Sequence, residues 1–191
     1  MSQGAAGRTA TGANTFTRLL GEVHSELVDL RDGELAGYIP ELARVEPDRF
    51  SIALTTPDGH RHLVGDVDTA FTIQSVSKAF VYGVVLDELG AEATEERVDL
   101  EPSGDAFNEI SLDPITSKPR NAMINAGAIA VTGLVPGDDV DRRFEWLRAR
   151  LGAFAGRPLE LDEAVYESER ATGHRNRAIG HLLLSGGVVG A

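Results

Sequence analysis

The chain has 191 residues, 42% apolar and 25% charged, which is enough for one domain with a hydrophobic core and too little for two large ones. Thirty acidic against 18 basic side chains give a formal charge of −12, which argues against a nucleic-acid phosphate surface, and the absence of cysteine excludes disulfides, thiol catalysis and thiolate metal sites. No apolar run approaches the roughly 18 residues of a membrane span, and residues 1–14, small and polar, read as a flexible leader and not a signal peptide, so a cytoplasmic protein is expected.

Phe16, Leu19, Leu20, Val23, Leu27 and Leu30 recur at helical spacing, predicting a helix capped by Asn14 or Thr15 and ended by Asp32-Gly33. Gly37-Tyr38-Ile39-Pro40 leads into a brief helical turn at Glu41-Leu42-Ala43. Residues 50–55 and 61–65 flank Pro57-Asp58-Gly59 and predict a β-hairpin, followed by a third extended piece over 70–73. Residues 75–89 are apolar around most of a helical circumference and end at Gly90, predicting a largely buried helix. Residues 91–120 are loop-rich. Residues 123–134 predict a tightly packed core helix, 138–151 an amphipathic one, and 163–170 and 176–184 two more. Helix, hairpin, then a run of helices is an α+β order. A hairpin alone is marginal as a sheet, and the chain stops on apolar residues after Gly186-Gly187, so a C-terminal part is expected to be missing.

Ser75-Val76-Ser77-Lys78 is the first candidate for chemistry. Positions three apart on a helix share a face, and a desolvated lysine can take the proton that a serine must lose to become nucleophilic. Only two of the 18 basic residues are lysines, Lys78 and Lys118, and lysine is the basic side chain that gives up its proton when buried. Backbone N–H groups at a helix start can also donate to an oxyanion. Alone the pattern is weak, because Ser-x-x-Lys arises by chance in about one protein in two of this length at ~6% usage of each residue.

Asn125 lies in an otherwise apolar helix, where its amide must bond either a loop or a polar ligand. Asn121 precedes that helix and reads as a cap. Glu169 and Asn176 are seven apart, with Gly173 expected to break any single helix through them; a carboxylate beside an amide suits an amino-acid headgroup, and a solvated helix end is the plainer alternative. The five histidines show no metal-ligand spacing, His60 and His62 being expected exposed beside the hairpin turn. Gly186-Gly187 lacks the strand and the Lys-Ser/Thr of a phosphate loop, and Trp146 reads as core or interface packing.

Taken together, these pieces resemble the bacterial-type glutaminases, which share the serine β-lactamase/penicillin-binding fold. The resemblance is carried by Gly37-Tyr38-Ile39-Pro40-Glu41-Leu42, Gly65-Asp66, Phe71-Thr72-Ile73-Gln74-Ser75-Val76-Ser77-Lys78 and Glu101-Pro102-Ser103-Gly104 with Phe107-Asn108. Pro119-Arg120-Asn121, Ile124-Asn125-Ala126-Gly127-Ala128-Ile129, Ser168-Glu169 and Arg175-Asn176 complete it, over residues 16–184. It implies hydrolysis of L-glutamine to L-glutamate and ammonia without metal or cofactor. Ser75 would be the nucleophile and Lys78 its proton relay, with Tyr38, Asn125, Glu169 and Asn176 lining the substrate pocket. It also implies an antiparallel sheet flanked by helices, here incomplete, and a homodimer or homotetramer.

Family members run to about 300 residues, and by the resemblance the remainder carries further strands, two pocket tyrosines and a Lys-Ser-Gly-Val-type strand that completes the oxyanion hole. Residues 15–191 are therefore expected to be a partial domain that is inactive or barely active alone. Two alternatives stand beside this. One is another serine acyl-enzyme of the same fold, which the lack of Ser-Asp-Asn and Lys-Thr-Gly disfavours. The other is a non-catalytic remnant that binds glutamine or glutamate, or serves as an oligomer interface.

Overall fold

A computed structural model describes residues 14–102, 104, 106 and 109–190. Residues 1–13 of the leader expected over 1–14, and the motif residues Ser103, Phe107 and Asn108, lie outside the described residues. The chain divides into two compact units, one up to Phe71 and one from Thr72.

In the first unit, α1 (Thr15–Leu27) packs on a hairpin of β1 (Ser51–Thr55) and β2 (Arg61–Gly65). Asn14 is the N-cap, its side chain accepting from the Thr17 N–H, as anticipated. The helix stops before the predicted 30: the Val28 carbonyl accepts from the Arg31 guanidinium, which also takes the Leu30 carbonyl, so the backbone there leaves the helical ladder. Pro40 precedes a 3₁₀ turn, Leu42–Arg44. The strands pair antiparallel, Ser51 opposite Gly65 and Thr55 opposite Arg61, confirming the hairpin.

His60 is exposed, but His62 is only 3% exposed, contrary to expectation. The pleat puts His62 on the face that α1 covers. Its ring lies 5.3 Å from that of Phe16, and its Nδ1 is 3.0 Å from the Thr17 hydroxyl. His24 stacks on Phe50 at 5.0 Å, so two imidazoles fasten the helix to the sheet.

The second unit is helical: α2 (Ser77–Glu95), α3 (Asn125–Thr132), α4 (Val140–Ala155), α5 (Glu163–Thr172) and α6 (His174–Ser185). The predicted extended piece over 70–73 forms no strand; Ile73 already has helical dihedrals and opens a 3₁₀ turn over Gln74–Val76. Ser75 therefore sits in that turn and not in the regular helix. Gly90 leaves the helical region inside α2, so the predicted stop is a kink after which one more turn forms. The helix is less buried than its composition suggested: Val81, Val84 and Val85 are covered, but Val76, Phe80 and Leu89 are exposed. Periodicity identifies apolar positions without saying what lies over them.

Two clusters make the core. Val81, Val85, Val98, Ala122, Val131 and Val135 form the first, with Trp146 packed against it and the Arg150 guanidinium 4.9 Å above the indole. Ile124, Ala126, Ala130, Ile179, Leu183 and Val188 form the second. α3 contributes to both, Val131 to one and Ala126 and Ala130 to the other, and it packs on α2 and on α6. An all-round apolar helix of small residues is what a position between two helices requires. The apolar end is equally explained. Gly187 is left-handed (φ 70°), its N–H bonds the Leu184 carbonyl and the Val188 N–H bonds Leu183, while Val188 packs on Leu183. This is a Schellman cap with its hydrophobic contact, and it accounts for Gly186-Gly187.

Candidate active site

α2 and α3 are packed side by side, and this brings together two residues 47 apart in sequence. Lys78, in the first turn of α2, donates from Nζ to the Asn125 Oδ1 at 2.6 Å. Lys78 is half-buried, and this desolvation lowers the pKa of its amine below the ordinary 10.5. The partner that Asn125 takes here is neither the loop nor the polar ligand expected of it: its carbonyl oxygen orients the amine that the sequence nominated as a base. An amide oxygen accepts from a neutral amine as well as from an ammonium, though more strongly from the ammonium, so the bond holds Lys78 in place in either protonation state.

The start of α3 is itself held firmly. Asn121 is not the N-cap of α3, a place Ile124 takes without a side-chain bond; it braces the turn before the helix, its Oδ1 accepting from the Met123 and Ile124 N–H groups at 2.9 and 3.3 Å and its Nδ2 donating to the Glu101 carbonyl. Gly127 lets this loop close on the helix, since a Cβ there would lie 1.8 Å from the Asn121 carbonyl oxygen. Asn125 is therefore presented by a helix end that only glycine two residues on permits.

Ser75 is exposed, in the 3₁₀ turn that runs directly into α2, three residues before Lys78. Two features of this turn escape sequence reasoning. Gln74 is left-handed, φ 41°, although it is not glycine, and the Ser77 hydroxyl donates to the Gln74 carbonyl at 2.7 Å. The second serine of Ser-Val-Ser-Lys is a signal for the hydroxyl bond and not for the reversed Gln74, because serine hydroxyls at helix starts commonly bond nearby backbone.

Gly173 ends α5 and begins α6, so Glu169 and Asn176 belong to two helices, as expected. They meet in a shallow depression of about 230 Å³, which Tyr166, Arg170, Gly173 and Arg177 also line. Glu169 is half-buried and Asn176 exposed. Tyr38, in the first unit, projects its ring from the loop before Pro40 and is 70% exposed. No group of three or more His, Asp or Glu side chains that could hold a metal ion occurs among the described residues. No helix among them is long and apolar enough to cross a membrane.

The chain matches the glutaminase family model over residues 33–191. It is 44% identical over 172 residues to the glutaminase of Nostoc sp., covering 90% of this chain and 52% of that protein. To glutaminase 2 of Bradyrhizobium diazoefficiens it is 52% identical over 166 residues, 87% of this chain and 26% of the other. The crystal structure of Mglu in its native form superposes with a TM-score of 0.86 at 43% identity, covering 94% of this chain and 44% of that one. The probable glutaminase ybaS gives 0.88 at 32% identity, with 93% and 58% covered. The chain spans about half the length of the Nostoc relative, and a smaller share of some others. On the matched family model and these superpositions, the chain belongs to the glutaminase family and shares its β-lactamase-like α+β fold.

Proposed function

We propose that this chain carries the nucleophile and base of a glutaminase, which hydrolyses the side-chain amide of L-glutamine. Ser75 Oγ attacks the carboxamide carbon while its proton passes to Lys78 Nζ. The carbon–nitrogen bond then breaks, the nitrogen leaves as ammonia with a proton from Lys78, and a γ-glutamyl ester remains on Ser75. Water attacks that ester, returns a proton to Ser75 Oγ, and glutamate departs. Asn125 holds Lys78 and faces the substrate amide, Glu169 meets the substrate ammonium, and Asn176 completes the pocket. A cytoplasmic homodimer or homotetramer is the assembly this reading carries.

The observation that carries the proposal is the half-buried, Asn125-bonded Lys78 three residues after an exposed serine, in a chain of the glutaminase family. A base must be able to shed its proton near the working pH, and partial burial moves a lysine in that direction. Turnover by this partial domain is expected to be absent or slight, so the test reads a single acylation: in protein acid-quenched after long mixing with glutamine, mass spectrometry should find a γ-glutamyl ester on the Ser75 peptide, absent in Ser75→Ala. An ester on another residue, or none while glutamine binds in calorimetry, would contradict it. The second outcome favours a non-catalytic binder, to which the depression holding Glu169 and Asn176 lends itself, Mglu having been crystallised in a glutamate form.

A further inference from the structure

We infer that Ser77 is a positioning residue: its hydroxyl holds Gln74 in a left-handed backbone state and thereby sets where Ser75 is presented. This rests on Ser75 being the nucleophile and goes beyond it, since it gives Ser77 a part in placing the nucleophile and none in the bond-making steps. Ile73, Val76 and Ser77 all have right-handed helical dihedrals, so Gln74 at φ 41° is one reversed residue inside a helical run. A side chain disfavours that state, which persists only where surrounding bonds impose it. Here the Gln74 carbonyl accepts both the Ser77 N–H and the Ser77 O–H, the latter at 2.7 Å, while the Val76 N–H bonds Ile73. The Gln74 side chain is tied only weakly, 3.4 Å from the Thr72 hydroxyl, so it does not impose the state.

Without the Ser77 hydroxyl, the relaxed alternative is right-handed Gln74 and an α2 extended backward by a turn. That rotates Ser75 about the helix axis relative to Lys78. The same bond occupies the Ser77 proton, which keeps the neighbouring hydroxyl from acting as a second nucleophile. A hydroxyl one turn from its base thus gains a defined direction from a hydroxyl that takes no part in the chemistry.

The test compares the wild type, Ser77→Ala and Ser77→Thr by crystal structure and by the rate at which a sulfonyl fluoride modifies Ser75, followed by mass spectrometry. In Ser77→Ala, φ at Gln74 should turn negative and Ser75 modification should slow by roughly ten- to a hundredfold, the size expected for a misplaced reacting group. The melting temperature and the pH at which the rate inflects should stay those of the wild type, because Lys78 and the core are untouched. Ser77→Thr, which keeps the hydroxyl, should restore most of the rate. Unchanged φ in Ser77→Ala, an unchanged rate, or a rate that Thr fails to rescue would overturn the inference while leaving the nucleophile standing. A wild-type Ser75 that resists modification would instead overturn the nucleophile, and the inference with it.

Discussion

Up to Phe71 only Ile39 and His62 are buried among the described residues, whereas from Thr72 on, two aliphatic clusters meet across α3. The first unit fastens a helix to a hairpin with polar rings, His24 stacked on Phe50 and His62 tilted against Phe16, each imidazole also hydrogen-bonding. The second unit does the reverse: apolar helices pack first, and polar groups at their ends are carried into place. Lys78 and Asn125 are neighbours because Val81 and Val85 on one helix and Val131 on the other share a cluster. Groups mounted on a packed core keep their geometry, which a reacting site needs and a loop tyrosine such as Tyr38 does not get from its own unit.

The largest expected effect falls on the second unit's chemistry. Lys78→Met should slow Ser75 acylation by about 10²- to 10⁴-fold, the usual worth of a positioned base, measured by quench and mass spectrometry. Its stability should not fall. The fold depresses the Lys78 pKa, so it disfavours the protonated form; that cost is full below the folded pKa and vanishes above the ordinary 10.5. At neutral pH the substitution removes a destabilising charge, so urea denaturation should give an unchanged or higher midpoint. A clear drop would show that the Lys78–Asn125 bond is structural cement and not a functional arrangement.

Core truncation comes next and separates the units most sharply. Ile179→Ala leaves a cavity between α6 and α3 and should cost about 2–5 kcal/mol in denaturant unfolding. His62→Ala in the first unit removes one ring contact and one hydrogen bond, and should cost about 1–2 kcal/mol. Equal costs would mean that the first unit is held by more than its two histidines.

These contrasts also mark what the sequence could and could not reveal. The hairpin and the helices were legible because alternation and 3.6-residue spacing are local, and Gly173 between α5 and α6 is a local break. The burial of His62 depended on which face of the hairpin α1 would cover, a tertiary fact. The Lys78–Asn125 bond spans 47 residues and exists only once α2 lies on α3. Ser75 and Lys78 were found by spacing, yet the reversed Gln74 between strand-like composition and helix left no trace in residue type. Over-reading α2 as buried has the same root, since Phe80 and Val76 look like core whether or not anything covers them.

The smallest effect lies at the hairpin turn. The Asp58 carboxylate accepts from the Thr56 hydroxyl and lies 2.8 Å from His60 Nδ1, which lowers its pKa below 3.8. Its contribution is present above that ordinary value and lost as pH falls through the lower folded one, so Asp58→Asn should matter slightly at neutral pH and not at all in strong acid. Hydrogen exchange of the Gly59 and His60 amides reads this directly.

The pH dependence of Ser75 acylation tests the central claim most directly. The rate should rise with pH as Lys78 loses its proton, with an inflection below 10.5 that disappears in Lys78→Met. A rate flat across that range, or one whose inflection survives the loss of the lysine, would contradict the account.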